Sequence, residues 1–435
     1  MGNIVAIVGR PNVGKSTFFN RLIGERKAIM DDESGVTRDR HYGKTEWNGT
    51  PFTVVDTGGY VVGSEDVFEA AIRRQVEIAI EESDVVLFMV DTQSGLHPLD
   101  EEFAKVLRRY DKPTMVVANK AETLDRTQQA AEFYTLGFDK IFPISAQTGS
   151  GTGDLLDEVV KHLTPTSGIA PDEGIPRIAI IGKPNVGKSS FVNLLLGEER
   201  NIVTDIAGTT RDAIDTHYKS FGKEFILTDT AGLRRKNRIK DSIEFYSVMR
   251  TLRAIEQSDV CIMMVDAQEG ITSQDISILR LAEKDGKGMV LMVNKWDLIE
   301  KDHMTYKRYL DVIRQKISPM DYIPVLFTSV LNKQRVFQTI ETAIRVYENK
   351  QQRVPTSKLN EMMQQVIAQY PPPAYRGHHI KIKYITQLPT RVPSFAFFCN
   401  HPKYIPETYR RYLENQLRKH FDFEGVPIRL YFREK

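Results

Sequence analysis

The sequence predicts an α/β chain: two tandem domains, each a mostly parallel sheet with helices on both faces, followed by a small α+β domain. Three observations carry that expectation. The segment VGRPNVGKSTFFNRLIGERKAIMDDESGVTRDR from Val8 returns as IGKPNVGKSSFVNLLLGEERNIVTDIAGTTRDA from Ile181, an ungapped offset of 173 residues. That period is the size of a domain and far too long for a solenoid, so a whole fold is duplicated. Within each copy, short apolar runs alternate with stretches of helical spacing, the pattern of a parallel sheet covered on both faces. From residue 350 onward, 15 Lys and Arg stand against 6 Asp and Glu, although the whole chain carries only +2.

In the first copy, residues 1–163, the runs NIVAIVG, FTVVDTGG, DVVLFMVDT, TMVVANK and KIFPIS read as buried strands. Helical spacing covers residues 15–24, 66–82 and 99–110 between them. The second copy, residues 177–349, repeats the scheme with RIAIIG, FILTDTAG, DVCIMMVDA, MVLMVNKWD and YIPVLFTS. Residues 164–176 (TPTSGIAPDEGIP) are rich in Pro, Gly and acidic side chains and read as a linker. The last domain, residues 350–435, reads helix (357–369), strand (379–386), strand (394–399), helix (406–421), strand (428–433). That order is compatible with a KH-type fold.

Composition excludes several classes of protein. At 41% hydrophobic and 27% charged residues the chain is an ordinary globular protein. No apolar stretch approaches the roughly 18–20 residues that cross a membrane. The amino terminus lacks the basic region and cleavage site of a signal peptide, and Ala6 stands where a myristoylation signal has Ser or Thr. Cys261 and Cys399 both sit in apolar runs, which argues against a disulfide framework and for a reduced, cytoplasmic compartment. A monomer without membrane partners is expected. The basic tail on an acidic body points to a polyanionic partner.

The chemistry lies in the repeated loops. Gly9 to Ser16 and Gly182 to Ser189 both fit GxxxxGK[ST], the loop whose backbone N–H groups close around a β-phosphate at a helix N-terminus. Gly14 and Gly187 permit the close approach. Lys15 and Lys188 reach the β and γ oxygens, and the hydroxyls of Ser16 and Ser189 take a position on Mg²⁺. Thr17 and Ser190, next in line, are counted with the nucleotide-binding residues. Twenty-two residues past each lysine stand Thr37 and Thr210, each suited to bind Mg²⁺ only while a γ-phosphate is present. Asp56 and Asp229 end apolar strands and are placed to hold Mg²⁺ through water. Gly59 and Gly232, three residues on, offer a backbone N–H to the γ-phosphate. Lys15, Thr37, Gly59, Lys188, Thr210 and Gly232 are thus the candidate catalytic residues.

Base selection comes from Asn294-Lys295-Trp296-Asp297. A carboxylate at that place accepts both the N1 and N2 protons of guanine, a pattern adenine cannot offer. The first copy has Asn119-Lys120-Ala121-Glu122, which moves the carboxylate out by one methylene. Two readings stay open there: guanine binds after a slight loop shift, or selectivity is relaxed. The last base-binding element is Ser145-Ala146 in the first copy and Ser329-Val330 in the second, where the valine crowds the approach to guanine O6.

These elements resemble a Ras-like P-loop NTPase core, or G domain. Tandem copies with GRPNVGKS, GKPNVGKS, DTGG, DTAG and the TRD switches closely resemble the Der (EngA) family of bacterial GTPases, over essentially the whole chain. The resemblance implies a third, KH-like domain and a role in maturation of the large ribosomal subunit, with rRNA as a partner. Where many GTPases place a water-orienting glutamine after the DxxG glycine, this chain has Tyr60 and Leu233. In relatives with that substitution a P-loop asparagine helps hold K⁺ against the phosphates. Asn12 and Asn185 fill that position, so K⁺ joins Mg²⁺ as an expected cofactor. The alternative is that each asparagine only shapes the loop.

Arg234 to Arg238 form a basic cluster after the second switch, either a solvated loop or a nucleotide-gated contact. In the tail, Tyr409, Arg410, Arg411, Tyr412, Arg418, Lys419 and His420 mix basic and aromatic side chains on one predicted helix. Such a surface suits phosphate contacts and base stacking, with Arg410, Arg411, Arg418 and Lys419 as candidate RNA contacts. Gly377 has no glycine three residues on, so the backbone-clamping GXXG loop is absent. The leading expectation is a GTP-hydrolysing switch in ribosome assembly. Its rivals are a chain in which only the second copy turns over, the first being a nucleotide-binding regulatory module, and a GTPase of tRNA modification.

Overall fold

The computed structural model describes residues 3–24, 42–57, 77, 79–163, 174–197, 202–207, 214–220, 223–228, 251–374 and 379–434. The chain divides into two compact units, residues 1–173 with 237–256, and residues 174–236 with 257–435. Each is built outward from the apolar runs that the repeat duplicates.

In the first unit a six-stranded sheet has the order β2-β3-β1-β4-β5-β6. Its strands are β1 (Ile4–Val8), β2 (Tyr42–Trp47), β3 (Thr50–Asp56), β4 (Val85–Asp91), β5 (Thr114–Asn119) and β6 (Ile141–Pro143). All pair in parallel except β2, which runs antiparallel to β3 along one edge. Every residue of β1 and β4 is buried, as expected for strands covered on both faces. Helix α1 (Lys15–Gly24) lays Phe18, Phe19 and Leu22 into the core beside Val5, Ile7 and Leu87. Burying one such phenylalanine contributes about 2–3 kcal/mol. Further helices of this unit include α2 (Pro98–Leu107), α3 (Leu124–Gln129) and α4 (Thr152–Lys161). Helix α2 starts from Pro98 behind a His97 cap whose Nδ1 accepts from the Leu99 amide. Residues 251–256 are helical and belong to this unit, with Lys44 Nζ 3.5 Å from Glu256 and Arg253 3.5 Å from Glu82.

The second unit carries a seven-stranded sheet of order β13-β12-β11-β7-β10-β9-β8. Here β7 is Arg177–Ile181, β8 Ile202–Ala207, β9 Ile214–Ser220, β10 Lys223–Leu227, β11 Val260–Asp266, β12 Gly288–Asn294 and β13 Val325–Phe327. The five strands read from the sequence pair in parallel, and β9 and β8 add antiparallel at the edge. Helices α5 (Lys188–Leu196), α6 (Ser273–Lys284), α7 (Thr305–Ile317) and α8 (Val336–Gln351) cover it. Thr272 and Asp275 close a capping box on α6.

The carboxyl-terminal domain has the expected α-β-β-α-β order: α9 (Thr356–Gln369), β14 (Ile382–Leu388), β15 (Ser394–Cys399), α10 (Glu407–His420) and β16 (Arg429–Glu434). Strand β15 is central, antiparallel to β14 and parallel to β16. Phe395, Phe397 and Cys399 face Leu359, Met363, Leu413 and Leu417 of the two helices. This domain packs on the second sheet within one unit. The Met289 amide of β12 donates to Gly425 O at 2.7 Å, and the Gly425 amide donates to Tyr322 O at 2.9 Å. Asn349 Nδ2 reaches Asp422 Oδ1 at 3.1 Å and Glu424 O at 3.2 Å.

That packing corrects one sequence reading. Arg418, expected on an RNA-facing surface, turns its guanidinium inward. It donates to Phe423 O (2.9 Å), Val426 O (2.7 Å) and Glu414 Oε1 (2.9 Å) and lies over the Tyr322 ring. Tyr409 is likewise buried, its hydroxyl donating to Tyr370 O at 2.8 Å. Arg411 and Lys419 stay exposed, and Arg410 sits 5.0 Å from the Phe432 ring centroid. No described helix is long and apolar enough to cross a membrane.

Candidate active sites

In both copies the parallel strands end at one edge, and the loops that leave them converge there. After β1 the chain turns through Gly9 to Gly14 into α1. The turn is tight: a Cβ on Gly14, at φ +99°, would lie 2.2 Å from Asn119 Nδ2. Gly187, at φ +106°, meets Asn294 Nδ2 at 2.4 Å in the same way. Only glycine fits there. Asn12 and Asn185 share φ +66° and carry exposed side chains at the loop tips.

Lys15 Nζ donates to Gly9 O and Arg10 O, both at 2.8 Å. Lys188 Nζ donates to Gly182 O at 2.6 Å and also to Lys183 O. Both ammonium groups curl back over their own loop. Burial lowers the pKa of Lys15 to about 8, against the attraction of Asp56, and burial lowers that of Lys188 to about 8 as well. A buried cation held by carbonyls alone is ready to exchange part of that set for phosphate oxygens.

Ser16 Oγ donates to Asp56 Oδ2 at 2.6 Å, which brings the two expected Mg²⁺ oxygens of the first copy together. A hydroxyl and a carboxylate at the mouth of a phosphate loop are hard oxygen donors and fit Mg²⁺. Thr57, next to Asp56, anchors the end of β3 by donating to Ile7 O at 2.9 Å. Thr37, Gly59, Tyr60, Thr210, Asp229, Gly232, Leu233 and the basic residues 234–238 lie outside the described residues. Thr17, Ser189 and Ser190 stand in the first turns of α1 and α5.

The base-reading side is linked to the phosphate loop by one side chain in each copy. Asn119 Nδ2 donates to Val13 O at 2.7 Å, and its Oδ1 accepts from the Ala146 amide at 2.8 Å. Asn294 repeats this with Val186 O (2.8 Å) and the Val330 amide (3.0 Å). Each asparagine thus ties three loops. Lys120 and Lys295 follow in the left-handed region, at φ +67° and +60°. Their ammonium groups pair with Asp91 at 2.6 Å and Asp266 at 2.5 Å, carboxylates that end β4 and β11. Sequence reading passed over these two aspartates as the ends of strands. The available signal was their recurrence at the same place in both copies.

Glu122 and Asp297 stand at matching places with different surroundings. Glu122 Oε2 accepts from Arg126 at 2.9 Å, and Oε1 accepts from Ser145 Oγ at 3.2 Å. No described group pairs with the Asp297 side chain. Ser145 also accepts from the Thr148 amide and Ser329 from the Asn332 amide, each at 3.1 Å, so both serines shape their loops. Arg21, from α1, donates to Ala146 O at 2.7 Å and adds a tie found only in the first copy, since Leu194 replaces it in the second.

Two phosphate loops, each facing a base-reading loop across the carboxyl edge of a parallel sheet, define a tandem GTP-hydrolysing protein of the P-loop class. A family model described as 50S ribosome-binding GTPase matches residues 4–120 and 177–295, and one described as KH-domain-like of EngA bacterial GTPase enzymes matches residues 353–433. Proteins named GTPase Der from Cytophaga hutchinsonii and Amoebophilus asiaticus are each 58% identical over 435 residues, with all of both chains covered. The protein of that name from Bacteroides fragilis is 54% identical over 437 residues, again with full coverage. The chain belongs to the Der family of GTPases. Among solved structures, Era in complex with MgGDPNP and a 16S ribosomal RNA segment aligns at TM-score 0.32 and 20% identity, covering 75% of this chain and 91% of that one. The G domain of the iron transporter FeoB aligns at TM-score 0.28 and 21% identity, covering 40% and 99%.

Proposed function

We propose that this chain is a GTP-driven switch in maturation of the large ribosomal subunit, with both copies turning over and the carboxyl-terminal domain holding rRNA in the cytoplasm. One observation carries the reading. Strand β12 ends at one extremity in Asn294, the loop-tying residue of the second GTP site. At the other it is hydrogen-bonded through Met289 to Gly425 of the basic domain. Nucleotide pocket and polyanion-binding module therefore share a strand. The surplus of nine positive charges from residue 350 onward supplies the attraction to rRNA phosphates, with exposed Arg411 and Lys419 and half-exposed Arg410 on one helix.

Mg²⁺ would be held by Ser16, Thr37 and Asp56 in the first copy and by Ser189, Thr210 and Asp229 in the second. When bound, it neutralises charge developing on the β and γ phosphates. Lys15 and Lys188 would hold the phosphates, and the amides of Gly59 and Gly232 would hold the γ-phosphoryl group. The residues after those glycines, Tyr60 and Leu233, have no amide side chain to orient water. The exposed oxygens of Asn12 and Asn185 suit a K⁺ ion beside the phosphates, which would supply the missing positive charge.

Cosedimentation with purified large subunits tests the reading. GTP-analogue-loaded protein is expected to bind and GDP-loaded protein to bind less. Charge reversal at Arg411→Glu and Lys419→Glu together should weaken binding at least tenfold without changing GTP turnover. Equal binding in both nucleotide states, or binding indifferent to the reversal, would contradict the proposal.

A further inference from the structure

We infer that Arg126, with Ser145, sets the guanine specificity of the first GTP site by clamping the longer Glu122 carboxylate in a base-reading position. The inference rests on guanine binding by the first copy.

A guanine-reading carboxylate must aim two oxygens at the N1 and N2 protons at once. Glutamate at that place has one more rotatable bond than aspartate and reaches about 1.5 Å further. Left loose, it loses side-chain freedom whenever a base arrives, and it also samples poses that read one proton instead of two. In this chain the extra reach is used. The Glu122 carboxylate is held on both oxygens, by Ser145 Oγ at 3.2 Å on Oε1 and by Arg126 at 2.9 Å on Oε2. Ser145 is fully buried, and its own position is fixed by the Thr148 amide. Arg126 is fixed in turn from α3, where it also lies 3.5 Å from Lys120 O. A carboxylate offers about four lone-pair sites, so two remain for the two guanine protons.

The second copy is the internal control. Its shorter Asp297 has no partner among the described residues, and its counterpart of Arg126 is Lys301. Lys301 makes no ion pair with Asp297 among the described residues, and its ammonium lies 5.7 Å from the centroid of the Trp296 ring. The clamp therefore accompanies the glutamate and is missing where aspartate stands. The pair is partly exposed, with side chains 36% and 31% accessible, so the expected effect is moderate and lies in discrimination more than in fold stability.

The test measures GDP and IDP affinity in the full-length chain, IDP lacking the exocyclic amino group. The Lys188→Ala background isolates the first site and the Lys15→Ala background the second. Arg126→Ala is expected to weaken GDP at the first site about fivefold, to weaken IDP less, and to leave the second site unchanged. Arg126→Lys should recover part of the loss. On a Glu122→Asp background the carboxylate no longer reaches Arg126, so the effect of Arg126→Ala should vanish. Equal weakening of GDP and IDP, tighter GDP binding, no change at all, or the same loss on the Glu122→Asp background would overturn the assignment. Failure of the Lys188→Ala protein to bind GDP at its first site would overturn the guanine reading itself, a result recognisable before Arg126 is changed.

Discussion

The guanidinium carbon of Arg418 lies 3.7 Å from the centroid of the Tyr322 ring, and the Tyr322 hydroxyl donates to Glu283 at 2.8 Å. A basic residue of the carboxyl-terminal domain is thereby spent on holding that domain to the second nucleotide domain. A desolvated cation–π contact of this kind contributes about 2 kcal/mol. Arg418→Ala should lower the stability of the second unit by about 2–4 kcal/mol once the lost bonds to Phe423 O and Val426 O are included. Hydrogen exchange should then accelerate at the Met289 and Gly425 amides, with the core of the first unit unaffected.

Removing either loop-tying asparagine should disable its own site. Asn119→Ala leaves a buried Ala146 amide and the Val13 carbonyl without their partner, a cost of about 1–3 kcal/mol for each group. GDP affinity at the first site should fall by about two orders of magnitude, and Asn294→Ala should do the same at the second. Fluorescent-nucleotide titration of each variant checks this, and a loss at both sites from one substitution would contradict it.

Asp91 and Asp266 should act through the lysines they hold. Asp91→Asn removes the charge partner of Lys120 and is expected to weaken GDP at the first site about tenfold. Asp266→Asn should act alike on Lys295 and the second site. The double variant Asp91→Asn with Lys120→Ala should be little worse than Lys120→Ala alone.

Nucleotide affinity should depend on pH through the phosphate-loop lysines. Burial lowers both to about 8 in the free protein, and phosphate binds the charged form. Below pH 8 both are protonated and affinity is flat. Above pH 8 each further unit should weaken GTP binding by up to tenfold, until the pKa of the nucleotide-bound lysine is passed. Calorimetry in buffers of different ionisation enthalpy should show proton uptake on binding at pH 9 and little at pH 7.

The parallel strands were legible because burial on both faces forces continuous apolar runs such as DVVLFMVDT, which admit no other reading next to short helices. Strands β2 and β9 were not: YGKTEW is a polar edge strand paired on one side only, and IDTHYKS, although paired on both sides with β10 and β8, is too polar to read as a buried run. Gly14, Lys15, Ser16, Asp56 and Asn119 could be placed because phosphate and base chemistry fixes their spacing. Asp91 and Arg126 escaped notice because their roles depend on which loops converge, something spacing along the chain does not reveal. Arg418 misled for a related reason. A positive charge on a helix says nothing about which way the side chain turns, and burial against Tyr322 decided it.

The central claim is that both copies are working GTP sites. Phosphate release from GTP and ATP by the intact chain, Lys15→Ala and Lys188→Ala, each in K⁺ and in Na⁺, tests it most directly. Turnover of GTP and not ATP, reduced in each variant and faster in K⁺, is the predicted result. Turnover untouched by Lys15→Ala would contradict the claim and leave the first copy as a nucleotide-binding regulator.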